Sequence, residues 1–271
     1  MKKYKALLPL KTDVTVKEQF GWLPMSVIKP NKGSAWNQLI GDDGDKAGTR
    51  RSKGCKYLPN LRFSKFNPHL AETIIKYWSI EGQTILDPFA GRATRGVISV
   101  VLGRNYIGYE IIKEVADDTR QHILSANGSG FAKIYNDDGC LLGNTEDEVA
   151  DLVFTCPPYH RQERYVSCLG QLSDIKDYAD FLVVINSAAD NIIRVLKSGG
   201  FLVWVCADWR DGKAFRLFHK DSLDIFISKG LTCHDIMIIE NISPFAPLQA
   251  GKVAAKRYTS KVHEYALVFR K

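Results

Sequence analysis

Two short segments of the 271-residue chain carry residue types whose order suits bond-making chemistry. The first is Thr155-Cys156-Pro157-Pro158-Tyr159, which follows the apolar run DLVF. Two prolines fix φ and remove two backbone donors, so such a turn can aim carbonyl oxygens at one point. An exocyclic amino group of a nucleobase has two N–H donors for those acceptors. Bonding them draws the nitrogen lone pair out of ring conjugation and frees it to attack an electrophilic methyl group. Tyr159 adds a flat face on which an extruded base can stack. Taken alone, Pro-Pro-Tyr is simply a buried strand running into a proline turn; a second segment changes that balance.

That second segment is Asp87-Pro88-Phe89-Ala90-Gly91-Arg92-Ala93-Thr94-Arg95-Gly96. It follows the short apolar strand TILD and precedes a helical pattern, and a glycine there lets a cofactor approach the backbone closely. It lacks the Gly-Lys-Ser/Thr ending of a phosphate-binding loop and the full G-x-G-x-x-G of dinucleotide enzymes. The next strand ends on Glu110, whose carboxylate can take both hydroxyls of a ribose. The one after ends on Asn136-Asp137-Asp138, within reach of an adenine amino group.

The elements that must position these residues alternate. Strands are predicted at 84–87, 105–111, 131–137, 151–155, 201–207, 233–241 and 263–271. Helices are predicted over 68–78, 93–103, 112–126, 177–197 and 213–229. Alternation of this kind implies an α/β, doubly wound, parallel sheet of seven strands. No helical segment separates the last two strands, so they are expected to pair antiparallel. Residues 1–60 are different. Four prolines and Gly- and charge-rich clusters mark loops, and 12 Lys or Arg against 5 Asp or Glu account for the whole net charge of +7. A basic extension (1–60) before a main domain (61–271) suits a polyanionic partner as well as it suits a solvated tail.

No apolar run is long enough to span a bilayer. The six cysteines form no C-x-x-C pair, which argues against a zinc knuckle and fits a reducing cytoplasm. The histidines show no metal spacing, so no metal is expected.

LDPFAG followed by TCPPY resembles the amino-group DNA methyltransferases, which carry DPF-x-G and (D/N/S)-P-P-(Y/F/W) motifs. FGWLPMSV (20–27), FSKFNPHLAE (63–72), DLVFTCPPYHRQERY (151–165) and KRYTSKVHEYALVF (256–269) extend the resemblance to phage- and prophage-encoded N4-cytosine/N6-adenine enzymes. The resemblance implies a Rossmann-like class I methyltransferase sheet, S-adenosylmethionine as cofactor, DNA as partner and a cytoplasmic setting. Phe63, Ser64 and Asn67 would flank the methionine end of the cofactor. Asp87, Phe89, Ala90, Gly91 and Gly96 would line its turn, Glu110 would hold the ribose, and Asp137 and Asp138 the adenine. Thr155, Cys156, Pro157, Pro158 and Tyr159 would form the catalytic turn.

Two departures stand out. Cys156 occupies the place of Asp, Asn or Ser, and a thiol is a poor acceptor. The carbonyls of Cys156 and Pro157, or the Thr155 hydroxyl, would then bind the amino group. Ala93 replaces a second glycine, and alanine does not readily take a positive φ. Target recognition would fall to residues 1–60, to Arg161 and Arg164 in the loop after the catalytic turn, and to Lys252, Lys256, Arg257 and Lys261. The alternatives are C5-pyrimidine methylation with Cys156 as nucleophile, methylation of RNA or of a protein glutamine, and a degenerate fold that only binds DNA. Thr-x-Pro-Pro-Tyr leans toward cytosine over adenine; the sequence fixes neither the recognition site nor the oligomeric state.

Overall fold

The computed structural model describes residues 11, 13–20, 22–30, 36, 40, 66–160, 167–241, 251 and 253–271. Its centre is one mixed sheet. Seven strands of that sheet are β2 (Thr84–Asp87), β3 (Asn105–Tyr109), β4 (Ala132–Tyr135), β5 (Ala150–Thr155), β6 (Leu196–Cys206), β9 (Thr232–Glu240) and β10 (His263–Arg270). An eighth, β1 (Val27–Ile28), is only two residues long, and the order across the sheet is β1-β9-β10-β6-β5-β2-β3-β4. β10 runs antiparallel to both β6 and β9, while β2, β3, β4, β5 and β6 run parallel. This is the doubly wound sheet the alternating pattern requires, with its antiparallel last strand.

Both faces of the sheet's central strands are dry, so those strands read as apolar runs rather than alternations. Period two then sorts each strand's side chains between two cores. Ile85, Leu152, Phe154 and Val203 face helices α2 (Pro68–Trp78), α3 (Thr94–Val101) and α4 (Lys113–Ser125) through Ile74, Val97 and Ile123. Leu86, Val153, Leu202 and Trp204 face α5 (Tyr178–Val195) and α6 (Phe218–Ser228) through Phe181, Ile185 and Phe226. Local signals start these helices: Pro68 sits at the first position of α2 and Asn67 Oδ1 accepts from Leu70 N at 3.0 Å, while Asp177 caps α5.

Three elements depart from the sequence pattern. β1 lies in the Pro-rich N-terminal stretch and exists because Val27 and Ile28 pair in parallel with Ile238 and Ile239. With Phe20 of α1 (Val16–Phe20), Ile28 and Ile40 buried, this part of residues 1–60 is integral to the main core. The predicted helix over 213–229 begins only at Phe218. Ahead of it, β7 (Trp209–Asp211) and β8 (Ala214–Arg216) form a separate antiparallel hairpin.

Candidate active site

The sheet's winding places the site. From β2 the chain moves outward to β3 and β4, then returns to β5 on the other side of β2. A crevice opens beyond the carboxyl ends of the strands where the direction reverses. Asp87 ends β2 and Thr155 ends β5, so the Gly-rich bend and the Pro-Pro-Tyr bend flank this one point. A direct hydrogen bond joins them, from Thr155 Oγ1 to Asp87 Oδ1 at 2.7 Å.

Asp87 is fully buried and accepts from four donors. Beside Thr155 these are Phe89 N at 3.2 Å, Arg95 Nε at 2.6 Å and Tyr106 OH at 2.9 Å. Arg95 in turn donates through Nη2 to the carbonyls of Phe89 (2.7 Å) and Ala90 (3.3 Å), and its guanidinium lies 4.8 Å from the Phe66 ring centroid. Burial opposes the charge on Arg95, but Asp87 and the neighbouring Tyr106 outweigh it and hold the guanidinium protonated. A carboxylate saturated in this way shapes the bend from within rather than offering an acceptor to a ligand.

The glycines of the bend serve different ends. Gly91 has φ +54°, a left-handed conformation, and nothing stands within 3.9 Å of where its Cβ would be. Gly96 lies inside α3, where a Cβ would meet Ile123 Cδ1 at 2.5 Å and the Tyr106 ring at 3.0 Å, so it serves helix–sheet packing. Ala93 takes φ −52°, and no left-handed residue is needed there.

Glu110 follows β3. Its carboxylate accepts from the backbone N–H groups of Ile112 (2.8 Å) and Gly91, but burial dominates and pushes its pKa up to about 7. A half-buried carboxylate touching the Gly91 backbone at the open side of the bend fits the ribose of a nucleoside cofactor, whose hydroxyls bring the donors it lacks. One strand further out, Asp137 is exposed and accepts from Asn144 Nδ2 at 2.6 Å, and Asp138 Oδ1 accepts from Cys140 N at 2.8 Å. Their loop abuts the bend at Gly139, where a Cβ would fall 1.7 Å from the Pro88 carbonyl oxygen.

On the catalytic side the Thr155 hydroxyl spends its proton on Asp87. Cys156 Sγ lies 3.7 Å from Tyr159 OH, and burial raises the Tyr159 pKa well above its ordinary value. The Tyr159 ring stacks against Trp209 with centroids 6.1 Å apart and planes 29° from parallel. Behind Trp209, Asp208 accepts from both Nδ1 (2.7 Å) and the backbone N (3.1 Å) of His219, whose ring stacks on Tyr265 at 4.3 Å.

The structure thus gathers Asp87, Phe89, Ala90, Gly91, Glu110, Thr155, Cys156, Pro157, Pro158 and Tyr159 at one end of the sheet. Asn67 caps α2, next to the Phe66 ring that covers Arg95. Lys256, Arg257 and Lys261 are exposed in the segment leading into β10. Phe63, Ser64, Arg161, Arg164 and Lys252 lie outside the described residues. Sequence reasoning gave no role to Arg95 or Tyr106. An arginine among Val97, Ile98 and Val100 in a buried helix demands a buried carboxylate, and Asp87 is eight residues back; that signal was available. Trp209, in the Asp208-Trp209-Arg210-Asp211 segment after the fifth strand, reads from sequence as a core or lid residue near the site, and the structure buries it against Tyr159.

The sheet order and the bend after β2 define a Rossmann-like class I methyltransferase fold. TrmN from Thermus thermophilus shares it at a TM-score of 0.54 and 15% identity, over 76% of this chain and 49% of that one. An S-adenosylmethionine-dependent methyltransferase from Methanosarcina mazei shares it at 0.51 and 14%, over 73% and 96%. The DNA methylase family profile matches residues 17–121 and 150–271, and the chain belongs to that family. Local similarity to curated relatives agrees. The orphan methyltransferase M.BamHII of Bacillus amyloliquefaciens is 40% identical over 58 residues, 21% of this chain and 22% of its own length. The type II methyltransferase M2.DpnII of Streptococcus pneumoniae is 41% identical over 59 residues, 22% of each chain. These matches therefore cover about a fifth of either relative.

Proposed function

We propose that the protein transfers a methyl group from S-adenosylmethionine to an exocyclic amino group, N4 of cytosine or N6 of adenine, of a base extruded from duplex DNA. The observation that carries this reading is the Thr155–Asp87 hydrogen bond, which locks the two bends side by side at the switch point of the sheet. Gly91, Glu110, Asp137 and Asp138 are the residues that would hold the cofactor. When bound it supplies an electrophilic methyl sulfonium.

The chain's own residues do the rest. Pro157 and Pro158 have no N–H, so their turn presents acceptors. With the Thr155 proton committed to Asp87, the carbonyls of Cys156 and Pro157 are the acceptors for the amino group's two N–H donors. Those bonds would localise the nitrogen lone pair for direct attack as the sulfur–methyl bond breaks, with no covalent enzyme intermediate, and the surplus amino proton would pass to solvent. Tyr159, backed by Trp209, gives the extruded base a stacking surface. Cys156 is a spectator whose thiol touches the Tyr159 hydroxyl.

The test is mass spectrometry of nucleosides from duplex DNA incubated with the protein and isotopically labelled S-adenosylmethionine. N4-methylcytosine or N6-methyladenine is expected, and the product decides between the two bases. Appearance of 5-methylcytosine, or labelling of RNA or protein in preference to DNA, would overturn the reading. Cys156→Ser protein should remain active, whereas a cysteine nucleophile would require its activity to vanish.

A further inference from the structure

The β7–β8 hairpin stands apart from the main sheet and has a base and a tip of different character. Its base is Trp209, buried against Tyr178 and Phe218 and stacked on Tyr159. Its tip is the two-residue turn Gly212–Lys213, exposed, with Gly212 at φ +59° as the first position of a tight hairpin turn requires. Between them lies Arg210, directly opposite Phe215 in the hairpin register.

Arg210 is exposed, yet its guanidinium is held in place. Its central carbon lies 3.6 Å from the Tyr258 ring centroid and 5.0 Å from that of Phe215. At 3.6 Å the Tyr258 ring lies against a flat face of the group. Among the described residues no acceptor meets its N–H donors. Three other arginines spend theirs: Arg104 on the Ser79 and Leu102 carbonyls, Arg120 on Asp117 and the Ile134 carbonyl, and Arg194 on Asp147. The hairpin's one carboxylate, Asp211, is taken by Arg216 at 3.5 Å. Lys213 at the tip and Lys256, Arg257 and Lys261 alongside are exposed, and Lys261 lies 4.9 Å over the same Phe215 ring.

We infer that Arg210 is a specificity-determining residue that reads the acceptor edge of a guanine in the major groove beside the extruded base. The inference rests on the proposed DNA-methylating function and deepens it. A planar guanidinium held against an aromatic ring, with no acceptor on its donors among the described residues, matches the O6/N7 pair of guanine, which accepts two parallel hydrogen bonds. Stacking fixes the group before binding, so little side-chain freedom is lost on contact. A two-stranded ribbon fits the major groove. Position sets the neighbourhood: Arg210 follows Trp209 in β7, with adjacent Cα atoms about 3.8 Å apart, and its side chain leaves from the opposite, exposed face of the hairpin, beside Tyr258 and Lys261. The flexible lysines around it serve the phosphates, which position the duplex without reading it.

The experiment starts with wild-type protein and a randomised duplex library, in which sequencing of methylated molecules defines the target site. Wild type, Arg210→Ala, Arg210→Lys and Tyr258→Leu are then compared on the cognate duplex and on duplexes with each position of the site substituted singly. kcat/KM is measured as a function of salt, with S-adenosylmethionine affinity and melting temperature as controls. Arg210→Ala should lower kcat/KM on the cognate duplex about tenfold or more, while replacing one particular guanine should then cost nothing further. Arg210→Lys should restore overall binding but not discrimination at that guanine. Tyr258→Leu should show a weaker form of the alanine effect. A uniform loss over all duplexes with a shallower salt dependence would make Arg210 a phosphate contact and overturn the inference. So would unchanged discrimination, or a target site without guanine. A wild-type protein that methylates no DNA would instead overturn the functional reading beneath it.

Discussion

On the proposed function, Glu110 would make the cofactor site a proton-linked one. In the protein without ligand, burial lifts this carboxyl from an ordinary 4.5 to about 7, against the pull of the Ile112 and Gly91 N–H groups. That difference corresponds to about 3 kcal/mol favouring the protonated form. Ribose hydroxyls donating to the carboxylate favour the ionised form, so cofactor binding should expel the proton. Near pH 6 about 0.9 proton should be released per cofactor bound, falling to about 0.1 near pH 8, and affinity should drop roughly tenfold for each pH unit below 7. Folding stability should run the other way. The native state holds the proton longer than the unfolded chain, so the unliganded protein gives up as much as about 3 kcal/mol as pH rises from 4.5 through 7. Isothermal titration with S-adenosylmethionine in buffers of different ionisation enthalpy counts the protons directly. Glu110→Gln should bind weakly, abolish the proton release, and leave the variant at least as stable as wild type at pH 8. A wild-type protein that binds the cofactor between pH 6 and 8 with no proton exchange would refute this account of Glu110.

Three further outcomes follow from the site's construction. Arg95→Ala should cost about 3–5 kcal/mol in chemical denaturation, because it strands the buried Asp87 charge without its partner. Gly96→Ala should cost about 1–3 kcal/mol through the clash with Ile123 Cδ1, and a second change, Ile123→Val, which removes that atom, should recover part of the loss. Tyr159→Ala should lower kcat/KM for duplex DNA by about the 1–3 kcal/mol of one stacked base while leaving cofactor affinity within a few fold, as titration can show. Equal losses of both would place Tyr159 in the cofactor site instead.

The sheet was legible because both its faces are buried. TILD, DLVF and FLVWVC are apolar runs bounded by glycines and charges, and such runs have few other uses. β1 was not legible, since two residues in a Pro-rich stretch become a strand only by pairing with Ile238 and Ile239. The hairpin was hidden differently. Asp211-Gly212 is a turn signal, but the helical pattern after it was read back to residue 213, five residues before α6 begins. Within the bend, sequence cannot tell which glycine is needed for its φ and which for its missing side chain. Gly91 proves to be the first kind and Gly96 the second, by packing partners 10 and 27 residues further along the chain. Arg95 was legible in principle, as a charge in a dry helix needs a buried counter-charge.

Counting backbone donors explains why this bend suits the ligand proposed for it and not a phosphate. A phosphate-binding Gly-rich turn works by leaving its N–H groups free for the anion. Here Pro88 has none, Phe89 N bonds to Asp87, Ala90 N to the Tyr109 carbonyl, and Gly91 N to Glu110. The opposing bend contributes Pro157 and Pro158, which have no N–H either. Both bends are therefore poor in free backbone donors, with the Glu110 carboxylate on one side. Pro88 to Gly91 and the two prolines offer an anion no free backbone N–H. A ligand that brings its own donors suits these groups: on the proposed function, ribose hydroxyls for Glu110 and a base amino group for the carbonyls of the Pro-Pro turn. The same accounting gives Arg95 its place. By binding the Phe89 and Ala90 carbonyls from behind, it fixes the turn while keeping its own donors and charge away from the open side. The chemistry of the site is thus set less by groups that reach into the crevice than by the donors the fold has already used elsewhere.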